Sequence, residues 1–107
     1  MDEAIEQQIQ QKGLTAPRVT PADIAALADR VEFEYVQINT STFCHAFLDG
    51  KFYLATGHSA CVSVENFDAE LGQQIAARNV EKPMLDKLWE LEGYALYKQL
   101  NQVKEAT

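Results

Sequence analysis

The chain has 107 residues and a mass of 12.0 kDa, enough for one small domain. Apolar residues make up 47% and charged residues 23%, the balance of a globular chain rather than a disordered one. Nine basic against 16 acidic residues give a net charge of −7, which argues against binding a long nucleic-acid backbone such as DNA, because that needs a cluster of cations. A small phosphorylated ligand is not excluded, since one or two well-placed cations hold a phosphate. No apolar run approaches the length of a bilayer span, and the start, Met1-Asp2-Glu3-Ala4-Ile5-Glu6, is acidic where a secretory leader is basic and then apolar. The expectation is a cytoplasmic protein without membrane contact. Two cysteines, Cys44 and Cys61, are too few for a disulfide scaffold or a structural zinc site.

Residues 2–12 read as a short helix with Ile5 and Ile9 on one face. Gly13 suits the left-handed position just past its end, Leu14 is placed to fold back on the last turn, and Pro17 stops any continuation. A helix this short is marginal alone. It needs a docking surface on its own chain or a neighbour's, so residues 1–16 form an arm of a single domain spanning 1–107. Thr20-Pro21-Ala22-Asp23 opens a second helix with a capping box and a proline at the first helical position. Its apolar stripe, Ile24, Leu27 and Val31, carries it to about residue 31.

From Phe33 the period changes. Residues 41–48 and 51–57 are rich in aromatic and β-branched types and flank Asp49-Gly50, which predicts a β-hairpin over about 41–57 with a two-residue turn. Leu48 then faces Lys51, Phe47 faces Phe52, His45 faces Leu54 and Phe43 faces Thr56. One face carries Phe43, His45, Phe47, Phe52 and Leu54, and its bulk assigns it to the core. The other carries Thr42, Cys44, Ala46, Leu48, Lys51, Tyr53 and Ala55, smaller groups and still mostly apolar. A hairpin with two apolar faces needs a second cover, from a helix of the same chain or from another subunit. The same register puts Cys61 opposite Ile38, about 20 Å from Cys44, so a disulfide within the hairpin is impossible and two buried or half-buried thiols are expected.

Asn66 is a plausible N-cap, with Asp68 and Glu70 in the positive first turn of a third helix. Phe67, Leu71 and Ile75 repeat at four. Pro83 clashes with the carbonyl of Asn79, so this helix is expected to stop or kink near Lys82. A fourth helix, with Leu85, Leu88, Trp89, Leu96 and Leu100, follows to about Val103, weakened at Gly93. The layout is helix, helix, β-hairpin, helix, helix: an α+β fold, with oligomerisation adding to a core that is small at this chain length.

Chemistry-bearing motifs are scarce. The chain has no Gly-rich phosphate loop, no His-Glu-x-x-His, no Cys-x-x-Cys and no nucleophile elbow. Gly57-His58-Ser59-Ala60-Cys61 holds nucleophile-like residues, but His58 and Ser59 are neighbours on a strand and point to opposite faces, as in a strand end meeting solvent. Cys44 or Cys61 with His45 or His58 reads better as packed thiols and satisfied rings than as a dyad or metal site. Glu65, Asp68 and Glu70 read as helix-start acids. No enzyme, metal or cofactor is expected. Trp89, Tyr94 and Tyr97 lie at helical spacing, and Trp89 reads as core or subunit interface rather than as a stacking platform. Tyr35, Tyr53 and Lys51 are less easily absorbed. Lys51 is the only cation between Val31 and Arg78 and sits beside the turn, where a phosphate could reach it. Its competing reading is an edge lysine that deters strand pairing.

Three stretches together carry a resemblance: Lys12-Gly13-Leu14-Thr15-Ala16-Pro17-Arg18-Val19-Thr20-Pro21; Thr56-Gly57-His58-Ser59-Ala60-Cys61-Val62 with Asn66-Phe67-Asp68-Ala69-Glu70-Leu71-Gly72; and Leu88-Trp89-Glu90-Leu91-Glu92-Gly93-Tyr94. The chain resembles, over nearly its whole length, a family of small tailed-phage and prophage proteins. That family is similar to the phage anti-CBASS sponges, small hexamers that bind bacterial cyclic di- and trinucleotide signals without cleaving them. The chain departs from the family pattern at Asp49, where a lysine or polar residue is common, and at Glu90, where a proline is common. A phosphate-binding lysine before the turn is thus absent or replaced by Lys51. The resemblance implies a non-enzymatic homo-oligomer in the host cytoplasm, with Tyr35 and Lys51 as the leading ligand contacts and Tyr53, Thr56, His58 and Arg78 as further candidates. A two-fold interface would present each of them twice, matching a nearly two-fold ligand with two phosphates. The competing expectation is a protein-binding module that docks through the N-terminal arm.

Overall fold

The computed structural model describes residues 3–13 and 16–106, with side chains through residue 102. The fold is α+β. Helix α1 (Glu3–Gln11) and helix α2 (Pro21–Ala28) precede strands β1 (Val31–Ile38), β2 (Ser41–Leu48) and β3 (Phe52–Ala60). A single 3₁₀ turn (Val64–Asn66) then leads into helix α3 (Ala69–Ala106). The sheet is antiparallel in the order β1-β2-β3, and α3 packs across β3 and β2.

The arm and α2 form as their sequences predict. Gly13 takes a φ of +69°, and Thr20 and Asp23 close a reciprocal capping box, with Thr20 Oγ1 accepting from the Asp23 amide at 3.1 Å and Asp23 Oδ2 accepting from the Thr20 amide at 2.9 Å. The arm buries no side chain; an ion pair from Arg18 to Glu6 ties it to its own chain. The expected Leu14 contact lies outside the described residues.

Four expectations need correction. First, α2 ends at Ala28, and Val31 begins a strand rather than closing a helix. The alternation of Val31, Phe33 and Tyr35 with Glu32 and Glu34 is a period of two, and Asn39, at a φ of +55°, turns the chain back into β2. The hairpin is therefore part of a three-stranded sheet. Second, its turn has three residues, Asp49, Gly50 and Lys51, because Leu48 pairs with Phe52. A bulge at Leu54 adds a second shift, so Phe43 faces His58 and His45 faces Thr56. Two single-residue slips restore the parity of the far half of β3 but exchange the faces of Phe52, Tyr53 and Leu54.

Third, the bulky face is not the core face. Thr42, Cys44, Ala46, Leu54 and Ala55 are buried beneath α3, whereas Phe43, His45 and Phe47 are only half-buried on the opposite side. The reason is spacing. A Cβ built on Gly57 would lie 2.1 Å from the Ala76 carbonyl oxygen and 2.5 Å from the Val80 nitrogen. Helix and strand backbones nearly touch there, so the positions around Gly57 on the central strand, Thr42, Cys44 and Ala46, have room only for small side chains beneath the helix. Fourth, the two C-terminal helices are one. Asp68 rather than Asn66 caps its start, accepting from the Leu71 amide at 3.0 Å. Pro83 is exposed, which leaves the orphaned Asn79 carbonyl on the wet side. Ala76, Val80, Met84 and Leu88, buried every fourth residue, hold the helix to the sheet on both sides of the proline. The Asn79 side-chain amide also donates to the His58 carbonyl at 2.9 Å.

Both cysteines are free, Cys44 buried and Cys61 half-buried, as the hairpin geometry requires. At 38 residues α3 is about 57 Å long, roughly twice the length of the strands it covers. Tyr94, Tyr97 and Leu100 accordingly stand exposed on its overhang.

Replacing Gly57 by alanine forces the helix off the sheet. A loss of about 3 kcal/mol in unfolding free energy is expected, read from the urea midpoint. Alanine at Gly93, where a Cβ meets nothing within 4 Å, should not destabilise.

Candidate functional site

Three places gather the residues that chemistry could use. The first is a trough on the helix side of the sheet, between α2, β1 and α3. Phe33 lies opposite Ala46 and Tyr35 opposite Cys44, so both project on the side that α3 covers, yet each is 40% exposed because the helix sits over β2 and β3. Their rings meet edge to face at 6.4 Å. Phe33 lines a hollow of about 570 Å³ with Ala28, Met84, Leu85 and Arg78. Arg78 also lines a second hollow of about 470 Å³, which ends on Trp89. Arg18 is paired with Glu6 and Arg30 with Asp49, which leaves Arg78, among the described residues, as the arginine without a carboxylate partner. Glu81, one turn on, borders both hollows.

Tyr35 and Cys44 form a cross-strand pair on the same side of the sheet. Burial pushes the Cys44 thiol up, against the opposing effect of a hydrogen bond from Tyr35. Burial likewise raises the Tyr35 phenol, with the neighbouring Cys44 adding to the shift. Both groups stay neutral at physiological pH. The thiol is a packed core group rather than a nucleophile.

The second place is the uncovered face of the sheet. Phe43 and His58, paired across β2 and β3, stack with ring centres 4.6 Å apart. His45 lies parallel to Phe43 at 6.3 Å. Thr56 Oγ1 is 2.7 Å from His45 Nδ1 and 2.7 Å from the Tyr53 hydroxyl, which makes a chain of two hydroxyls and an imidazole. The three-residue turn brings Tyr53 onto this face, opposite Phe47, and the bulge at Leu54 keeps Thr56 and His58 on it. Val36 and Ile38 extend the apolar surface over β1, where Glu32 and Glu34 sit on the same face, opposite Phe47 and His45.

The third place is the hairpin turn. Arg30 holds Asp49 with two hydrogen bonds, of 2.9 Å from Nε and 2.6 Å from Nη2, while Gly50 lies against the Glu32 carboxylate at a φ of +70°. The Arg30 guanidinium keeps the Asp49 carboxyl below the usual carboxylate range. Lys51 is exposed in this turn.

The six candidate ligand residues thus do not form one site in one protomer. Tyr35 and Arg78 lie on the helix side, Tyr53, Thr56 and His58 on the open face, and Lys51 at the turn. Sequence reasoning missed Phe33, although its alternation with Glu32 and Glu34 places it beside Tyr35. It also placed Phe43, His45 and Phe47 in the core. Trp89, read as core or interface, packs half-buried against the core and closes the outer hollow. Among the described residues there is no cluster of three or more His, Cys, Asp or Glu side chains able to hold a metal ion. None of the helices there is long and apolar enough to cross a membrane.

With this geometry, a small α+β protein offering an aromatic-lined arginine trough and an open aromatic sheet face, the chain belongs to a family of phage proteins. It matches the Phage protein (N4 Gp49/phage Sf6 gene 66) family over residues 2–100. No curated protein and no solved structure matches it.

Two measurements check the local chemistry. In the native protein a thiol reagent should modify Cys61 alone, with Cys44 reacting only on unfolding; rapid reaction of both would contradict the burial of Cys44. A carbon-detected titration should give Asp49 a midpoint below an ordinary aspartate, restored in Arg30→Ala. Because the folded value is the lower one, this pair contributes stability above the ordinary aspartate range and loses it as pH falls through the folded midpoint.

Proposed function

We propose that this phage protein binds bacterial cyclic di- and trinucleotide messengers of CBASS immunity and sequesters them uncleaved, as a homo-oligomer in the host cytoplasm. The observation that carries this reading is Arg78. Among the described residues it is an unpaired guanidinium, set between two open hollows on a strongly acidic protein; the exposed ring of Phe33 lines one of them, with Tyr35 as its edge-to-face neighbour. A guanidinium takes a phosphodiester through paired charge-assisted hydrogen bonds, and flat rings take bases at about 1–3 kcal/mol each. Glu81 is an acceptor for the exocyclic amino group of a purine. Membership in a phage protein family, and the similarity of that family to the sponge-type proteins, support the same reading.

Energetics favour a small ring-shaped ligand over a polymer. One arginine per protomer is too little for a long polyanion, whereas two protomers would bring two guanidinium groups and two pairs of rings to a ligand with two phosphates. Such a set reaches nanomolar affinity, about −12 kcal/mol, when the walls are preformed. The second reading, a protein-docking module, has in its favour that α1 buries no side chain and is tied to the domain by the Arg18–Glu6 pair. Truncation of residues 1–16 would abolish partner capture on that reading and leave nucleotide binding intact on the first.

Calorimetry with cyclic dinucleotides and a cyclic trinucleotide is the test. Wild type should bind at least one of them with a submicromolar Kd and release it chemically intact on denaturation, as read by chromatography. Arg78→Ala should weaken binding at least tenfold, which corresponds to about 1.4 kcal/mol. Absence of binding heat for every messenger, or recovery of a linear product, would defeat the proposal.

A further inference from the structure

We infer that the uncovered sheet face is the surface through which two copies of the chain meet, face to face, about a two-fold axis running along β2. This deepens the functional reading above and shares with it only the premise that copies associate. The face is too apolar for a solvated surface. Val36 is 42%, Ile38 57% and Tyr53 52% exposed, and they flank the half-buried Phe43 and Phe47 on the central strand. Among the described residues α3, the helix that packs on the sheet, takes the other side.

Charge selects both the occupant and the axis. The face is acidic along β1, where Glu32 and Glu34 project, and carries the Tyr53 hydroxyl, Thr56 and the His58 imidazole along β3. A face-to-face pair with its axis along β2 lays β1 of each copy over β3 of the other. Register then sets Glu32 above Tyr53, Glu34 above Thr56 and Val36 above His58 of the second copy. Each carboxylate thus meets a hydroxyl, and Val36 meets the flat face of the His58 ring, which already stacks on Phe43. An axis across the strands instead stacks β1 on β1 and brings acidic strands together, which disfavours it. The face is thus complementary to itself in one orientation. Sheets packed this way lie about 10 Å apart with strands about 30° off parallel, and their inner aromatic side chains interdigitate.

The arrangement also divides the labour of the candidate residues. Tyr53, Thr56 and His58 become contacts between copies. Tyr35 and Arg78, on the far side of the sheet, stay open to ligand, so bringing two Arg78 side chains to one ligand takes a further contact between such pairs.

Light scattering on the full chain over a concentration series tests this. Wild type should show a mass of two chains or an even multiple. Val36→Glu and, independently, Tyr53→Glu, both at exposed positions, should raise the dissociation midpoint at least tenfold with unchanged circular dichroism. In a Cys61→Ser background, Val36→Cys mixed with His58→Cys should cross-link through a short bis-maleimide as a mixed pair. Each alone should cross-link far less. A wild-type monomer throughout would overturn the inference. So would an oligomer that both glutamate variants leave intact, which would place the contact on the α3 overhang or the arm. Self-cross-linking of Val36→Cys in excess of the mixed product would overturn the axis. Calorimetry on the same variants keeps the two readings apart: messenger binding lost only with Arg78→Ala counts for the ligand site, and mass lost only with the face variants counts for the interface.

Discussion

The closeness of α3 to β3 at Gly57 governs the rest of the structure. With the helix backbone within touching distance of the strand, the layer between them has room for cysteine, alanine, threonine and glycine but not for phenylalanine. That single contact decides which face of the sheet is core. It therefore decides that the aromatic face is left over. It also gives the long helix one continuous docking stripe, Ala76, Val80, Met84 and Leu88, strong enough to carry the chain straight through Pro83. Tight backbone packing gains dispersion contacts along the whole interface, which is how a domain this small holds together with so few large core residues.

Leaving the aromatic side chains outside has a functional consequence. A protomer that buried Phe43, His45 and Phe47 would be self-contained. This one exposes two chemically distinct surfaces on opposite sides of a thin sheet. On the helix side, α3 covers only β2 and β3, so the rings on β1 and the free arginine on α3 border an open trough. On the other side, flat rings and a hydroxyl–imidazole chain lie beside a carboxylate-bearing strand. In our proposals, the first side takes an anionic ligand with planar groups and the second a copy of the chain.

Electrostatics reinforces the division. Four of the nine cations in this acidic protein are held in ion pairs among the described residues. Arg18 fixes the arm, Arg30 fixes the hairpin turn through Asp49, and Lys82 and Lys87 pair with acids along α3. Asp49, the departure from the family's turn pattern, thus has a structural role, since its carboxylate anchors the turn to the end of α2. Against this background the one uncommitted guanidinium stands out more than it would on a basic surface. The surrounding negative charge also discourages binding by longer polyanions.

Local chemistry was legible in the sequence wherever a residue acts through its immediate neighbours. The capping box at Thr20, the left-handed Gly13, the tight turn near Asp49-Gly50, the strands on either side of it, the helical repeat after Phe67 and the impossibility of a Cys44–Cys61 bond all depend on spacings of a few residues. The period-two pattern from Val31 to Tyr35 was legible too and outweighs the helical stripe that also reaches Val31. What only the tertiary structure decided depends on distances between elements. Bulk does not say which face of a strand is core; the separation of helix and sheet does. A proline does not say whether a helix breaks; packing on both sides of it does. The turn and the bulge at Leu54 each slip the register by one, and only their sum places Thr56 beside His45. The pairing of Arg18 and Arg30, which singles out Arg78, joins residues 12 and 19 positions apart and becomes visible only once the chain has folded.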